Sequence, residues 1–259
     1  MWRSDRERAR GLPLFRCVSP QCFDGLMKVT SMQRIAQHAV FIEEDRLPQF
    51  LYIVLEGTVE LFSRTGERET TLDIVRPTTT FVLPAVIRNE PYLNSARAFA
   101  PLKILAIPAA AVRDAFNRDE QLARAVAIDL AVSHNATVRA LKDLKLLNSA
   151  ERLANWILEA SHEQGNNGNI TLCYAKRTLA SRLGMTPENL SRNLASLAKH
   201  CISLKGRVMT ITDIEALRQY AKPSPSINGN AHNGPSRDGP AGRHLESNLG
   251  QMARPRNSV

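Results

Sequence analysis

The sequence predicts a mixed α+β chain: a small antiparallel β-barrel or jelly roll, then a long helix, then a helix-turn-helix with a β-hairpin beside it. Three features carry that expectation. Between residues 39 and 107, short apolar or alternating runs recur with turn residues between them, the mark of an all-β module. Residues 119–147 contain neither proline nor glycine. Residues 176–199 hold two short amphipathic segments around a glycine, followed by two brief alternating runs.

Taken in order, residues 1–10 are dense in charge and are expected to fray, and a short helix is expected over 19–32. Phe50–Leu55 is a β-rich run that Glu56-Gly57 breaks, and Thr58–Phe62 alternates cleanly up to a turn at Thr65-Gly66. Leu72–Val75, Thr80–Leu83, Ser95–Phe99 and Leu102–Ile107 follow as strands, and Pro108 closes the module. From Asp119 to Leu147 one helix is expected. Ala123, Ala127, Leu130, His134, Thr137, Leu141 and Leu144 follow a four-three spacing in it, which suits a coiled-coil dimer seam with polar members. The same pattern also suits a helix lying on its own barrel. Asn148-Ser149 caps a further helix to about His162, and Gln164–Asn169 is a loop. Residues 222–259 are rich in Pro, Gly, Ser and Asn and are expected to be disordered, since they have little apolar surface to offset chain entropy. The expected organisation is a barrel over 12–118, a dimerisation helix over 119–147, a winged helix-turn-helix over 149–221 and the tail.

The segment Thr186–Arg192 is the most informative. Thr186 suits an N-cap and Pro187 the first helical position, where a missing N–H costs nothing. Leu190, Leu194 and Leu197 share one side at about 100° per residue. Glu188, Ser191, Arg192, Ala195 and Lys199 fall opposite. A carboxylate, a hydroxyl and two cations on an exposed face are the equipment for reading base edges and holding phosphates. Lys176–Leu183 forms the preceding helix, Gly184-Met185-Thr186 the turn, and Ile202–Thr212 a hairpin around Lys205-Gly206-Arg207. Glu188, Ser191 and Arg192 are the candidates for base contacts; Thr178, Thr186, Lys199, Lys205 and Arg207 are placed for phosphates. The bland alternative is a helical hairpin with a solvated charged face.

Charge agrees with this division. The chain carries +9 overall. Residues 17–148 are neutral, with 15 charges of each sign, whereas 149–221 hold 9 cations against 6 anions. Both flanks are also basic, so a neutral part and a cationic nucleic-acid-binding part are implied. No apolar run is long enough to span a bilayer and no apolar leader opens the chain, so a cytoplasmic protein without membrane contact is expected. Of four cysteines, Cys17 and Cys22 cannot complete a four-ligand cluster alone. Cys173 and Cys201 are expected to pack in the C-terminal core.

In this order of parts the chain resembles the Crp/Fnr family of bacterial transcription regulators, over roughly residues 12–220. Leu51–Val59 is similar to the family's aromatic-aliphatic run into a glycine turn in its cyclic-nucleotide-binding-like barrel. Leu183–Arg192 is the closer likeness: Glu188, Ser191 and Arg192 reproduce the spacing of the Fnr-like branch, where the cAMP-receptor branch has Gly in place of Ser191. The resemblance implies a homodimer that reads TTGAT half-sites in an inverted repeat, recruits RNA polymerase and stands nearest the Fnr/FixK/Dnr side, linked to low-oxygen or nitrogen-oxide metabolism. Cyclic-nucleotide-binding members carry Glu and Arg-Ser or Arg-Thr around the ribose and phosphate. Here Leu83 and Tyr92-Leu93 stand at those positions, with Arg97 off register, which argues against a cyclic nucleotide. The cysteine set argues against an iron–sulfur cluster. Haem stays open, with His38, His134 and His162 candidate ligands by residue type alone.

Two other classes compete. A cupin-like barrel enzyme needs clustered His and carboxylate ligands on its strands; only His38 lies in that region, so no enzyme is expected. An effector-independent or redox-controlled regulator keeps the same DNA face and differs only in what controls it.

Overall fold

A computed structural model describes residues 3–221; the expected tail lies outside them. Three helices open the chain, α1 (Arg3–Arg10), α2 (Pro13–Arg16) and α3 (Pro20–Val29). Eight strands follow: β1 (Ser31–Ile35), β2 (Val40–Ile42), β3 (Phe50–Glu56), β4 (Val59–Thr65), β5 (Arg68–Val75), β6 (Thr79–Phe81), β7 (Ser95–Ala98) and β8 (Leu102–Pro108), with α4 (Leu83–Arg88) after β6. They form two four-stranded antiparallel sheets, ordered β1-β8-β3-β6 and β2-β7-β4-β5. The module is a two-sheet jelly roll.

Strand β3 shows why its sequence reads as one unbroken apolar run. Tyr52 and Val54 face the core between the sheets, while Leu51, Ile53 and Leu55 face a second core under the helices. A strand covered on both sides has no polar alternation to display. The β3–β4 turn requires glycine at position 57: its φ is +85°, and a Cβ there would clash with the carbonyl oxygen of Pro101.

After β8 come α5 (Ala109–Arg118) and α6 (Glu120–Leu146). Asp119 caps α6 by accepting from the Leu122 N–H at 2.8 Å, and the Ser19 hydroxyl donates to the same carboxylate, tying α3 to the start of α6. Leu122 and Val126 are buried against the jelly roll's helical core, and Leu130 is half-buried against it. From Ala131 to Val138 α6 is exposed.

The C-terminal part holds α7 (Ser149–Glu163), β9 (Asn169–Thr171), α8 (Lys176–Arg182), α9 (Pro187–Leu197), β10 (Ile202–Lys205), β11 (Val208–Ile211) and α10 (Ile214–Ala221). The strands make a small antiparallel sheet ordered β10-β11-β9. A separate core joins Leu153, Trp156 and Ile157 of α7 to Leu179, Leu190, Leu194, Leu197, Met209 and Leu217.

Several expectations need correcting. Residues 3–10 are helical, not frayed: Asp5 is buried and pairs with Lys103 at 2.9 Å, Arg8 donates to the Leu55 carbonyl, and Ala9 is buried. The expected 19–32 helix stops at Val29, because residues 31–35 pair with β8 as an edge strand, where polar residues are tolerated. The expected strand over Thr80–Leu83 ends at Phe81, where Val82 takes a left-handed conformation (φ +61°) and starts α4. Helix α10 had no expectation of its own. Cys173 is exposed: its neighbours Leu172 and Tyr174 take the inward positions and alternation turns it out. Cys201 is buried as expected.

Candidate nucleic-acid interface

Helix α7 begins in a full capping box, with Asn148 Oδ1 accepting from the Ala150 and Glu151 N–H groups and Glu151 accepting from the Asn148 N–H. One turn on, Arg152 fixes the segment that matters most. Its guanidinium donates to the carbonyls of Leu147 (2.6 Å), Leu183 (2.9 Å) and Gly184 (3.1 Å). The turn between α8 and α9 is therefore held to the rigid first helix of this domain. Gly184 has φ +61°, and a Cβ on it would lie 2.6 Å from Leu144, so the end of α6 also abuts the turn. Sequence reasoning missed Arg152, because nothing local separates it from any other helical arginine.

Helix α9 starts as its sequence requires. Thr186 Oγ1 accepts from the Asn189 N–H at 3.2 Å, and Pro187 occupies the first position. Leu190, Leu194 and Leu197 are buried. Glu188, Ser191, Arg192 and Ala195 are exposed on the opposite side. The Glu188 carboxyl is held below the usual carboxylate range, first by its own backbone N–H, then by the Thr186 hydroxyl, with Arg192's charge adding. Ser191 Oγ donates to the Pro187 carbonyl at 2.9 Å, leaving its lone pairs outward as acceptors. Arg192 donates to Asn189 Oδ1 at 2.5 Å.

The phosphate candidates lie around this helix. Thr178 is half-buried on α8 and Thr186 is exposed at the cap. Lys199 is exposed in the turn just past the last residue of α9. Lys205 and Arg207 are exposed at the tip of the β10–β11 hairpin, whose two-residue loop begins with Gly206 at φ +61°. Base-edge and phosphate candidates thus belong to one domain, on the helix, its flanks and the wing.

The other side of α8 rests on the jelly roll. The Thr71 N–H donates to Ser181 Oγ at 2.7 Å, Arg182 pairs with Asp73 at 3.1 Å, and Arg76 pairs with Glu163 at 2.5 Å. Ile74 of β5 joins the core of the C-terminal part, and Phe99 meets Tyr174 edge-on at 6.3 Å.

The space between the two sheets has a different chemistry. Tyr52 and Phe81 stack at 5.7 Å, and Phe41 meets both edge-on. Burial, and then the neighbouring Tyr92, pushes the Tyr52 phenol up to about 12. Leu83 and Tyr92 are both buried. Arg97 lies on the outer face of its sheet, between inward-facing Ala96 and Ala98. There it pairs with Glu60 at 2.7 Å and Glu69 at 2.8 Å and covers the Phe62 ring at 4.4 Å. Its charge is committed, so the residues at these positions do not fit a cyclic phosphate. His38, His134 and His162 are all exposed and sit apart, His38 in the turn between β1 and β2, His134 on α6 and His162 on α7. Among the described residues no three His, Cys, Asp or Glu side chains gather as a metal site, and no helix is long and apolar enough to cross a membrane.

Of the expected dimer seam, Ala127, His134, Thr137, Leu141 and Leu144 are exposed, whereas Leu130 leans on the jelly roll. The outer face of α6 adds Ile128 and Val132, 57% and 65% exposed. These two were missed because the four-three pattern was phased on the side of α6 that begins against its own domain.

Residues 151–220 match the Crp-like helix-turn-helix domain and residues 32–119 the cyclic nucleotide-binding domain. No curated protein matches the chain. Among solved structures, a protein of Silicibacter pomeroyi DSS-3 described as a candidate cAMP-binding regulatory protein is 27% identical, with 86% of this chain and 100% of that one covered and a TM-score of 0.58. FixK2 of Bradyrhizobium japonicum is 19% identical over 76% of this chain and 99% of its own, at a TM-score of 0.69. A Crp/Fnr-family transcriptional regulator of Thermus thermophilus is 22% identical over 74% of this chain and 99% of its own, at a TM-score of 0.60.

Proposed function

The chain belongs to the Crp/Fnr family of DNA-binding transcription regulators, and on that premise we propose that it is a homodimer reading an inverted repeat of TTGAT-type half-sites. The carrying observation is the amphipathic split of α9, with Leu190, Leu194 and Leu197 buried and Glu188, Ser191 and Arg192 exposed around them. Arg192 is suited to a bidentate pair with guanine, Glu188 to the cytosine amine, and Ser191 to a neighbouring thymine. Thr178, Thr186, Lys199, Lys205 and Arg207 hold phosphates on either side. Two copies, paired along α6 through Ala127, His134, Thr137, Leu141 and Leu144 together with Ile128 and Val132, would set their α9 helices in successive major grooves about 34 Å apart. The protein acts in the cytoplasm with RNA polymerase. Its place on the Fnr/FixK/Dnr side, with the low-oxygen or nitrogen-oxide link that side implies, is supported by the Glu188-Ser191-Arg192 spacing.

The test is a fluorescence-anisotropy titration of full-length protein at stated salt, against the inverted repeat and against duplexes changed one base pair at a time. Tight binding to the repeat and about tenfold or greater loss per changed pair are expected. Equal binding to every duplex overturns the reading. Lys205→Ala is expected to weaken all sequences alike and to lower the salt slope by about 1.

A second reading, regulation without a bound effector, is favoured by the stacked aromatic filling between the sheets and the committed charge of Arg97. It expects ligand-free protein already at full affinity. Its oxidative version loses Cys22 as a sensor: burial first, and Asp119 beside it, push that thiol up to about 11, so the reactive thiolate is scarce.

A further inference from the structure

We infer that Asn189 is a positioning residue for base recognition: it holds the Arg192 guanidinium away from Glu188, so that both charged readers stay available to DNA. The inference rests on the reading of α9 given above and adds to it a residue that no base-contact assignment includes.

The geometry is local and specific. Arg192 lies four residues after Glu188 and three after Asn189, and on a helix both are within reach of its side chain. Left to Coulomb attraction alone, the fork would close on the carboxylate. A Glu188–Arg192 pair would satisfy itself, and each partner would have to be prised from the other before it met a base edge. In the structure the fork is instead on Asn189, with Arg192 Nη2 donating to Asn189 Oδ1 at 2.5 Å. A neutral amide accepts one of the five guanidinium N–H bonds and leaves the charge and four donors uncommitted. Asn189 itself is well placed to do this. Its backbone N–H is fixed by the Thr186 cap at 3.2 Å. It sits at the third helical position, where a Glu or Gln reaches back to close a capping box; Asn189 reaches forward to Arg192 instead. Its side chain is half-buried on the rim of the exposed face, which restricts how far the pair swings.

A double-mutant cycle on the full chain tests this, read by fluorescence anisotropy on the inverted repeat and on duplexes changed one base pair at a time. Arg192→Ala identifies the base pair that Arg192 reads. At that pair Asn189→Ala is expected to lower discrimination about fivefold, and the Asn189→Ala/Arg192→Ala double variant to be no worse than Arg192→Ala alone. Discrimination at the pair read by Glu188 should fall as well. Asn189→Asp should lose more, because a carboxylate there neutralises the fork directly, while Asn189→Gln, which keeps the amide acceptor, should recover part of the loss. A uniform weakening on every duplex, an unchanged ratio, or full additivity in the cycle each overturn the proposal. If Arg192→Ala itself leaves base preference untouched, the parent reading of α9 fails. If Arg192→Ala costs discrimination and Asn189→Ala does not, only the positioning role fails.

Discussion

Two polar clusters in this molecule contain nearly the same groups and have opposite fates. On the outer face of the β2-β7-β4-β5 sheet, Arg97 meets Glu60 and Glu69, and Thr71 donates to Glu60 at 2.6 Å. On α9, Glu188, Ser191 and Arg192 sit in solvent, and the hydrogen bonds that Ser191 and Arg192 donate go to neutral local acceptors. The first cluster is closed. Its Glu60 side chain is 3% exposed, and it is tolerable only because the charge beside it is satisfied. The second is open, and its groups keep their bonding capacity for something outside the chain. Satisfaction, and not residue type, separates a structural charge from a reading charge.

The largest expected effect comes from breaking the closed cluster. Arg97→Ala leaves the Glu60 carboxylate buried with Thr71 alone, and an uncompensated buried charge costs about 3–5 kcal/mol. Urea unfolding should show that loss; a change under about 1 kcal/mol would mean that the cluster opens to water and that the contrast is false. The open cluster should answer the other way. Arg192→Ala should shift the unfolding free energy by less than about 0.5 kcal/mol, as exposed substitutions do, yet remove about 1–3 kcal/mol of base discrimination. If it unfolds the protein instead, α9 depends on its outward face, and the contrast between closed and open clusters fails.

Between the clusters lies the contact that joins them, where the Thr71 N–H donates to Ser181 Oγ. Ser181→Ala removes that acceptor and should cost about 1 kcal/mol. Faster amide exchange at Thr71, with Arg97 and Glu60 undisturbed, is the sharper measurement. Unchanged exchange would mean that the backbone N–H finds another partner and that the α8–β5 contact depends on Arg182–Asp73 and Ile74 instead.

What was legible follows from sequence distance. Helix α9 could be read whole, since its cap Thr186 and the leucines and exposed face of its eleven helical residues are all local. Strand β3 could be read because burial on two sides leaves an apolar run. The closed cluster could not: Glu60 and Arg97 are 37 residues apart and meet only because β4 and β7 are sheet neighbours. Helix α1 was misjudged for the same reason, its anchors Leu55 and Lys103 lying 47 and 98 residues on. Charge density looked like solvation because the partners were out of view. The Asn189–Arg192 bond spans three residues, and what hid it was rotamer choice: either Glu188 or Asn189 suits the pattern, and only the folded structure shows which one Arg192 meets.

The finest contrast is one of pH. The space between the sheets is dry enough that burial, and then Tyr92, raises the Tyr52 phenol from its ordinary 10.0 to about 12. A group raised in the folded state releases its proton first in the unfolded chain. Its contribution is therefore complete below about pH 10 and drains away as the pH climbs toward about 12, because there the unfolded chain binds fewer protons. Urea midpoints measured from about pH 8 to 11 should fall more steeply for the wild type than for Tyr52→Phe, which has no proton to lose. The open face of α9 contains no such group: Glu188 is lowered, so it stays charged throughout that range, and Arg192→Ala should track the wild type in parallel. Parallel curves for all three proteins would mean that water reaches the Tyr52 hydroxyl, and the space between the sheets would then be a candidate ligand pocket after all.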